Sequence, residues 1–193
     1  MEPDKALNRL LQGNRRFVAG NPIQLKGPPL VRHREALAKS QKPFAVVLGC
    51  SDSRVPPELV FDVILGDIFV VRTAGGVVDA VAVGSIEYVI EHLGTRLIVV
   101  LGHQHCGAVS AAVSGATETG PIAKVLEAIA PAVEETKGQP GDPVDNAVRA
   151  NARNIAKRLQ SAGTVIQSAA QAEDVKVVAA YYSLETGQVE LLK

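Results

Sequence analysis

The chain has 193 residues, of which 47% are apolar, with 20 basic and 20 acidic side chains. That is enough apolar material to bury a core as a single domain, and there is no basic excess of the kind that nucleic acid or an anionic membrane attracts. No apolar run approaches the ~20 residues of a membrane span, and the start, Met1-Glu2-Pro3-Asp4-Lys5, lacks a signal peptide's basic-then-apolar pattern, so the expected location is the cytoplasm.

In chain order, Pro3, the early acids Glu2 and Asp4, and the late bases Arg15 and Arg16 suit a helix dipole. Leu7, Leu10, Leu11 and Val18 repeat at helical spacing up to Gly20. Asn21 to Pro29, with three prolines, reads as an extended connector that carries this helix away from the main body, so residues 1–40 form a helical arm whose apolar face suits a partner subunit. Residues 41–193 form an α/β core. Arg32 to Ser40 is at best a short polar helix, and Gln41-Lys42-Pro43 leads into a first strand, Val46-Val47-Leu48-Gly49. A short helix with proline in its first turn covers Val55 to Phe61, and Ile68 to Val71 is a second strand that ends at Arg72-Thr73-Ala74-Gly75-Gly76. That glycine pair resembles half of a dinucleotide loop, but without G-x-G-x-x-G it reads as a tight turn.

Asp79 caps a helix with an Ile86, Val89, Ile90, Leu93 stripe closed by Gly94, and this helix feeds a third strand, Leu97 to Gly102. The β-α-β succession implies parallel pairing. Helices follow over Gly107 to Ser114, Pro121 to Glu135, Asp142-Pro143 to Leu159, and Thr164 to Ala172. A fourth strand, Val175 to Tyr182, then turns through Glu185-Thr186-Gly187 into an edge strand, Val189 to Leu192. The expected fold is a mostly parallel sheet of four strands with a C-terminal antiparallel edge strand, flanked by helices.

The chemistry gathers at two strand ends. Cys50-Ser51-Asp52-Ser53-Arg54 follows the first strand and His103-Gln104-His105-Cys106 the third, on the edge where open α/β sheets place ligands. In a reducing compartment Cys50 and Cys106 suit metal or redox chemistry better than a disulfide. Two thiolates and an imidazole suit zinc, and three protein ligands with an exchangeable fourth position make a site of catalytic type. Asp52 and Arg54 are spaced to form a charge-assisted pair beside the metal. If the pair breaks, Asp52 is free to become a fourth ligand and shut the site. The plainer reading is two cysteines acting as small apolar residues, but neither sits inside its apolar run.

Cys50-Ser51-Asp52-Ser53-Arg54 together with His103-Gln104-His105-Cys106-Gly107 resembles the β-class carbonic anhydrases. The similarity runs from Gly13-Asn14-Arg15-Arg16-Phe17 to Tyr181-Tyr182-Ser183-Leu184-Glu185-Thr186-Gly187. The resemblance implies one zinc per chain on Cys50, His103 and Cys106, and reversible hydration of carbon dioxide to bicarbonate by hydroxide on the metal. It also implies an orienting role for Asp52 held by Arg54, and substrate contacts from Gln41 (across a dimer interface), Phe69, Tyr88 and Gly107. A homo-oligomer follows, a dimer or a dimer of dimers. His92 is similar in placement to a proton-shuttle candidate of plant members, although a solvated helix-end histidine is the plainer reading. Some bacterial members bind a second, inhibitory bicarbonate between a tryptophan, an arginine and a tyrosine; the matching positions here are Val47, Arg72 and Tyr88, so the tryptophan is missing. Competing readings are a non-catalytic zinc or bicarbonate-binding protein on the same fold, a carbon disulfide or carbonyl sulfide hydrolase, and a dithiol redox protein. The last is weakened by the absence of C-x-x-C.

Overall fold

The computed structural model describes residues 1–23 and 28–193. Five strands form one sheet in the order β2-β1-β3-β4-β5: β1 Ala45–Cys50, β2 Ile68–Thr73, β3 Leu97–His103, β4 Lys176–Tyr182 and β5 Val189–Leu192. The first four run parallel, with Val46 opposite Phe69 and Ile98, and Leu97 opposite Lys176; β5 returns antiparallel beside β4. The chain leaves β1 toward β2 on one side and comes back to β3 on the other. The crevice at their carboxyl ends is therefore the topological switch point of the sheet.

The β1 and β3 sequences are near-continuous apolar runs because both faces of the sheet are covered. On one face Val46, Leu48, Ile98 and Val100 pack against α4 (Ala80–Leu93) and α7 (Pro143–Leu159) through Ile86, Val89, Ile155 and Leu159. On the other, Ala45, Val47, Val99 and Leu101 meet Ala6, Leu7 and Leu10 of α1 (Pro3–Val18) and Phe61, which follows α3 (Pro57–Val60). The cap signals hold: Asp79 accepts from the Ala82 N–H and Asp142 from the Asp145 N–H, each at 2.8 Å, and Gly94 closes α4 with φ 68°. The carboxyl edge is completed by α5 (Gly107–Val113) and α6 (Pro121–Thr136), and α8 (Val165–Gln171) precedes β4. Among the described residues no helix is long and apolar enough to cross a membrane.

Two expectations are corrected at the N-terminus. Helix α1 is not an arm held away from the body: Ala6, Leu7 and Leu10 are buried on the chain's own sheet, while Val18, the last member of the stripe, is exposed. The proline-rich connector is also shorter than expected, because Pro28 and Pro29 open α2 (Pro28–Leu37), where a missing N–H costs nothing. Residues 24–27 of the expected connector lie outside the described residues.

The Gly13–Phe17 segment explains why α1 stays docked. A side chain at Gly13 would begin 1.7 Å from the Phe61 carbonyl oxygen, so only glycine allows the helix to approach this closely. Arg16 bonds the buried Asp62 at 2.5 Å. Asn14, 4% exposed, donates to the Val60 and Gly187 carbonyls at 3.0 and 2.8 Å and accepts from the Val189 N–H at 2.9 Å. Asn14→Ala strips three backbone groups of their partners at once. A loss of about 3 kcal/mol is expected, read as a lower urea midpoint in equilibrium unfolding.

Candidate metal centre

Cys50 is the last residue of β1 and His103 the last of β3, so the adjacency of the two strands sets them side by side; Cys106 caps the amino end of α5. One ligand atom from each lies within 4.8 Å of the others, and the two Sγ atoms are 4.0 Å apart. Two thiolates on one tetrahedral zinc, each about 2.3 Å from it, stand about 3.8 Å apart. His103 is 1% exposed, and its Nδ1 lies 2.9 Å from the Gln104 carbonyl. Only an N–H can satisfy that carbonyl, which leaves the Nε2 lone pair of a neutral ring facing the thiols. Among the described residues Nε2 is the one buried side-chain nitrogen or oxygen without a hydrogen-bond partner. An unpartnered buried nitrogen beside two thiols is a donor set able to hold a cation, and its chemistry suits zinc.

The hydrogen bond that Cys106 donates to Cys50 lowers the Cys50 thiol to about 4 and pushes that of Cys106 up. Backbone N–H groups favour charge on both: Asp52 and Gly75 at Cys50, Val109 and Ala108 at Cys106. Beside them, Asp52 faces Arg54 across a two-pronged pair, Arg54 Nε to Oδ1 at 3.0 Å and Nη2 to Oδ2 at 2.7 Å, with the Arg54 N–H adding a third bond at 2.9 Å. Those bonds hold the Asp52 carboxyl well below the usual carboxylate range. A depressed folded value means that the pair adds stability above the unfolded pKa of ~3.9 and loses it as pH falls through the folded value. Oδ2 also lies 4.0 Å from His103 Nε2, and Arg54 reaches across to the His105 carbonyl at 3.1 Å. His105 itself takes the left-handed φ of 53°.

Arg72 has a different place from the expected one. It donates to the Cys50 carbonyl at 2.8 Å and the Asp52 carbonyl at 2.5 Å, clamping the loop that carries the cluster. Val47 is fully buried on the α1 face, whereas Tyr88 is on α4, which covers the other face, half exposed with its ring 5.0 Å from that of His92. Strand alternation separates Val47 from Tyr88, and the three positions matched to the inhibitory bicarbonate pocket do not converge. Gln41 is exposed at the amino end of β1, opposite the cluster. Phe69 pairs with Val46, four residues before Cys50, and packs on the α4-side core. Gly107 opens α5 directly after Cys106. His33 bonds the Leu65 carbonyl at 2.8 Å, away from the cluster. Sequence reading missed the Arg72 clamp and the donor role of Gly75. The glycine pair was the available signal: both residues adopt φ near 65°, as a tight turn demands.

A family model described as carbonic anhydrase matches residues 45–189. Carbonic anhydrase 2 of Mycobacterium tuberculosis is 40% identical over 193 residues, 98% of this chain and 92% of that protein. A carbonic anhydrase of Mycolicibacterium smegmatis is 39% identical over the same length, 98% of this chain and 93% of its own. Among solved structures, the β-carbonic anhydrase CcaA superposes with a TM-score of 0.76 at 26% identity, covering 97% of this chain and 95% of that one. One of two tetrameric β-carbonic anhydrases of Sordaria macrospora matches in fold with a TM-score of 0.75 at 24% identity, covering 84% of this chain and 86% of the other.

Native mass spectrometry of the purified protein is expected to show about one zinc per chain, and Cys50→Ser, His103→Ala and Cys106→Ser to show none. Chelation should lower Tm and zinc should restore it, since a ligand at a hundred times its Kd adds about 2.7 kcal/mol to the state that binds it. A stoichiometric Cys106→Ser protein contradicts the assignment.

Proposed function

The chain belongs to the carbonic anhydrase family, in its β class, and from that membership we propose that it hydrates carbon dioxide reversibly to bicarbonate and a proton, with Cys50, His103 and Cys106 holding one zinc ion per chain. The reading is carried by one observation: a buried, unpartnered imidazole nitrogen and two thiols 4.0 Å apart stand beside an ionised carboxylate that is held by an arginine. When bound, the zinc supplies the acidity that makes hydroxide available near neutral pH, and two thiolates, by offsetting its charge, make it a weaker acid than three neutral ligands do. Activity is accordingly expected to rise through mildly alkaline pH.

Asp52 stays ionised across that range, so it acts as a proton acceptor and orients the attacking oxygen. Arg54 engages both of its oxygens and so keeps it from ligating the metal. Rupture of those bonds frees Asp52 to close the site. Apart from its chain neighbours and its own helix backbone, nothing lies within 4 Å of where a Gly107 side chain would start, which leaves room there for an approaching substrate oxygen. Unpaired free thiols suit the reducing cytoplasm.

Gln41, Phe69 and Tyr88 are assigned to the substrate side of a site completed by a second copy of the chain. Strand β2 ends the sheet, and its unpaired edge is a template for association. Leu65, Val81 and Tyr88, on the segments flanking it, are 53%, 76% and 50% exposed. Sedimentation is expected to give a dimer or a dimer of dimers; a fully active monomer contradicts this assignment.

Stopped-flow hydration on protein of measured zinc content tests the chemistry. Asp52→Asn and Arg54→Ala are expected to keep the metal and lose roughly a hundredfold or more in kcat/KM, the scale of losing a preorganised polar contact to the reacting atoms. Parental turnover in either variant removes the pair from the reaction. Zinc-loaded parent protein without hydration activity favours a binding protein, or a hydrolase if carbon disulfide or carbonyl sulfide is turned over instead.

A further inference from the structure

Between His103 and Cys106, the side chain of Gln104 has no part in the chemistry above, yet it is tied down at both of its reachable donors. It meets the turn between β4 and β5, where its Oε1 accepts from the Ser183 hydroxyl at 3.0 Å and from the Glu185 N–H at 3.2 Å. A backbone N–H can only donate, so the atom facing Glu185 is the amide oxygen. The turn is itself closed: the Ser183 N–H donates to the Gln188 carbonyl and the Gly187 N–H to the Ser183 carbonyl, both at 2.9 Å, and Asn14 of α1 holds the Gly187 carbonyl. The Gln104 N–H adds a bond to the Tyr182 carbonyl at 2.9 Å, so side chain and backbone both fasten this residue to a fixed turn. The next residue, His105, stands at φ 53°, a region that a residue other than glycine occupies only where its surroundings hold it there. Its carbonyl accepts from Arg54 Nη2 at 3.1 Å. Among the described residues that carbonyl is the one hydrogen-bond partner of Arg54 outside the Asp52–Arg54 loop. The Arg54 side chain is 52% exposed, and an ion pair so open to water is weak by itself, so a fixed backbone acceptor decides where the guanidinium rests.

We propose that Gln104 is a positioning residue for Arg54: its side chain ties the loop between His103 and Cys106 to the β4–β5 turn and so holds the His105 carbonyl where it anchors the guanidinium against Asp52. Without that tie the loop relaxes from its left-handed residue, Arg54 loses its outer anchor, and the two-pronged pair with Asp52 opens more often. The role in catalysis rests on the reading that Asp52 and Arg54 act together in hydration, and the experiment separates the two.

The full-length, zinc-loaded protein is labelled with nitrogen-15 at arginine Nε, and the Arg54 Nε–H resonance is assigned by its absence from Arg54→Lys. Its exchange with water reports how often the bond to Asp52 opens. Gln104→Met keeps the length of the side chain and removes the acceptor; it is expected to speed that exchange roughly fivefold and to lower kcat/KM by a similar factor at unchanged zinc content, the scale of one lost hydrogen bond. Gln104→Glu keeps an oxygen for both donors and is expected to restore the parent's exchange rate, which a merely space-filling role would not require. Ser183→Ala removes one of the two bonds from the turn's side and is expected to give a smaller change in the same direction; it is read in place of Gln104→Met if that variant does not fold. A folded Gln104→Met protein whose Arg54 N–H exchanges at the parent's rate overturns the proposal, as does a Gln104→Glu protein that exchanges as fast as Gln104→Met. A zinc-loaded parent that does not hydrate carbon dioxide, with the exchange rates as expected, overturns the functional reading instead and supports the placement of Arg54 by Gln104.

Discussion

Two sulfurs 4.0 Å apart repel each other when both carry charge, and the polar groups around the β1 and β3 ends are arranged against that repulsion. Unit charges at such a distance oppose each other by about 4 kcal/mol at the effective dielectric of a protein surface. Four backbone N–H groups, those of Asp52 and Gly75 at Cys50 and of Ala108 and Val109 at Cys106, favour charge on the two sulfurs. None of them adds a charge of its own. The cations are placed one step further out: Arg54 is matched to Asp52, and Arg72 holds carbonyls of the ligand loop. The cluster is thus suited to a doubly charged ion, with both arginines engaged elsewhere and not on the sulfurs.

Most of this was legible because strand ends are legible. An apolar run that stops at Gly49-Cys50, and another that stops at Gly102-His103, mark carboxyl edges, and the helix between the second and third strands makes those two strands parallel, although β1 lies between them in the sheet. Once β1 and β3 are neighbours, Cys50, His103 and Cys106 meet without further assumption. The Asp52 and Arg54 pair was readable for a local reason, since two residues in one extended loop can face each other whatever the rest of the fold does.

The misreadings have one source: they concern which surface a side chain meets, and that is a tertiary fact. Leu7 and Leu10 at helical spacing state that α1 buries a face. They do not say whether the cover is the chain's own sheet or another copy, and the decisive contact is the absent side chain at Gly13 against Phe61. Pro28 and Pro29 break a helix interior but suit a first turn, so the same pair serves as connector or start. Val47 was matched by position to an aromatic residue in relatives, yet the two-residue period of a strand turns it toward α1, away from Tyr88. Arg72 was matched by position to a bicarbonate-binding arginine in relatives. Its guanidinium is instead occupied by two backbone carbonyls.

Those carbonyl contacts bear on how the site can change shape. Three side chains tie the carboxyl edge together across long stretches of sequence: Arg54 to the His105 carbonyl, Arg72 to those of Cys50 and Asp52, and Asn151 to that of Gly75. Each bond ends on backbone, so the loops are held independently of the side chains they display. A conversion of Asp52 from arginine partner to metal ligand, as proposed above, would break the bonds of its carboxylate with Arg54 and leave the Arg72 clamp on the Asp52 carbonyl intact. Such a movement would be a rotation of one carboxylate about a fixed backbone, with Oδ2 starting 4.0 Å from His103 Nε2. A loop free to follow would let the thiol of Cys50 drift with it; the clamp would confine the change to the carboxylate and leave Cys50, His103 and Cys106 where the sheet put them.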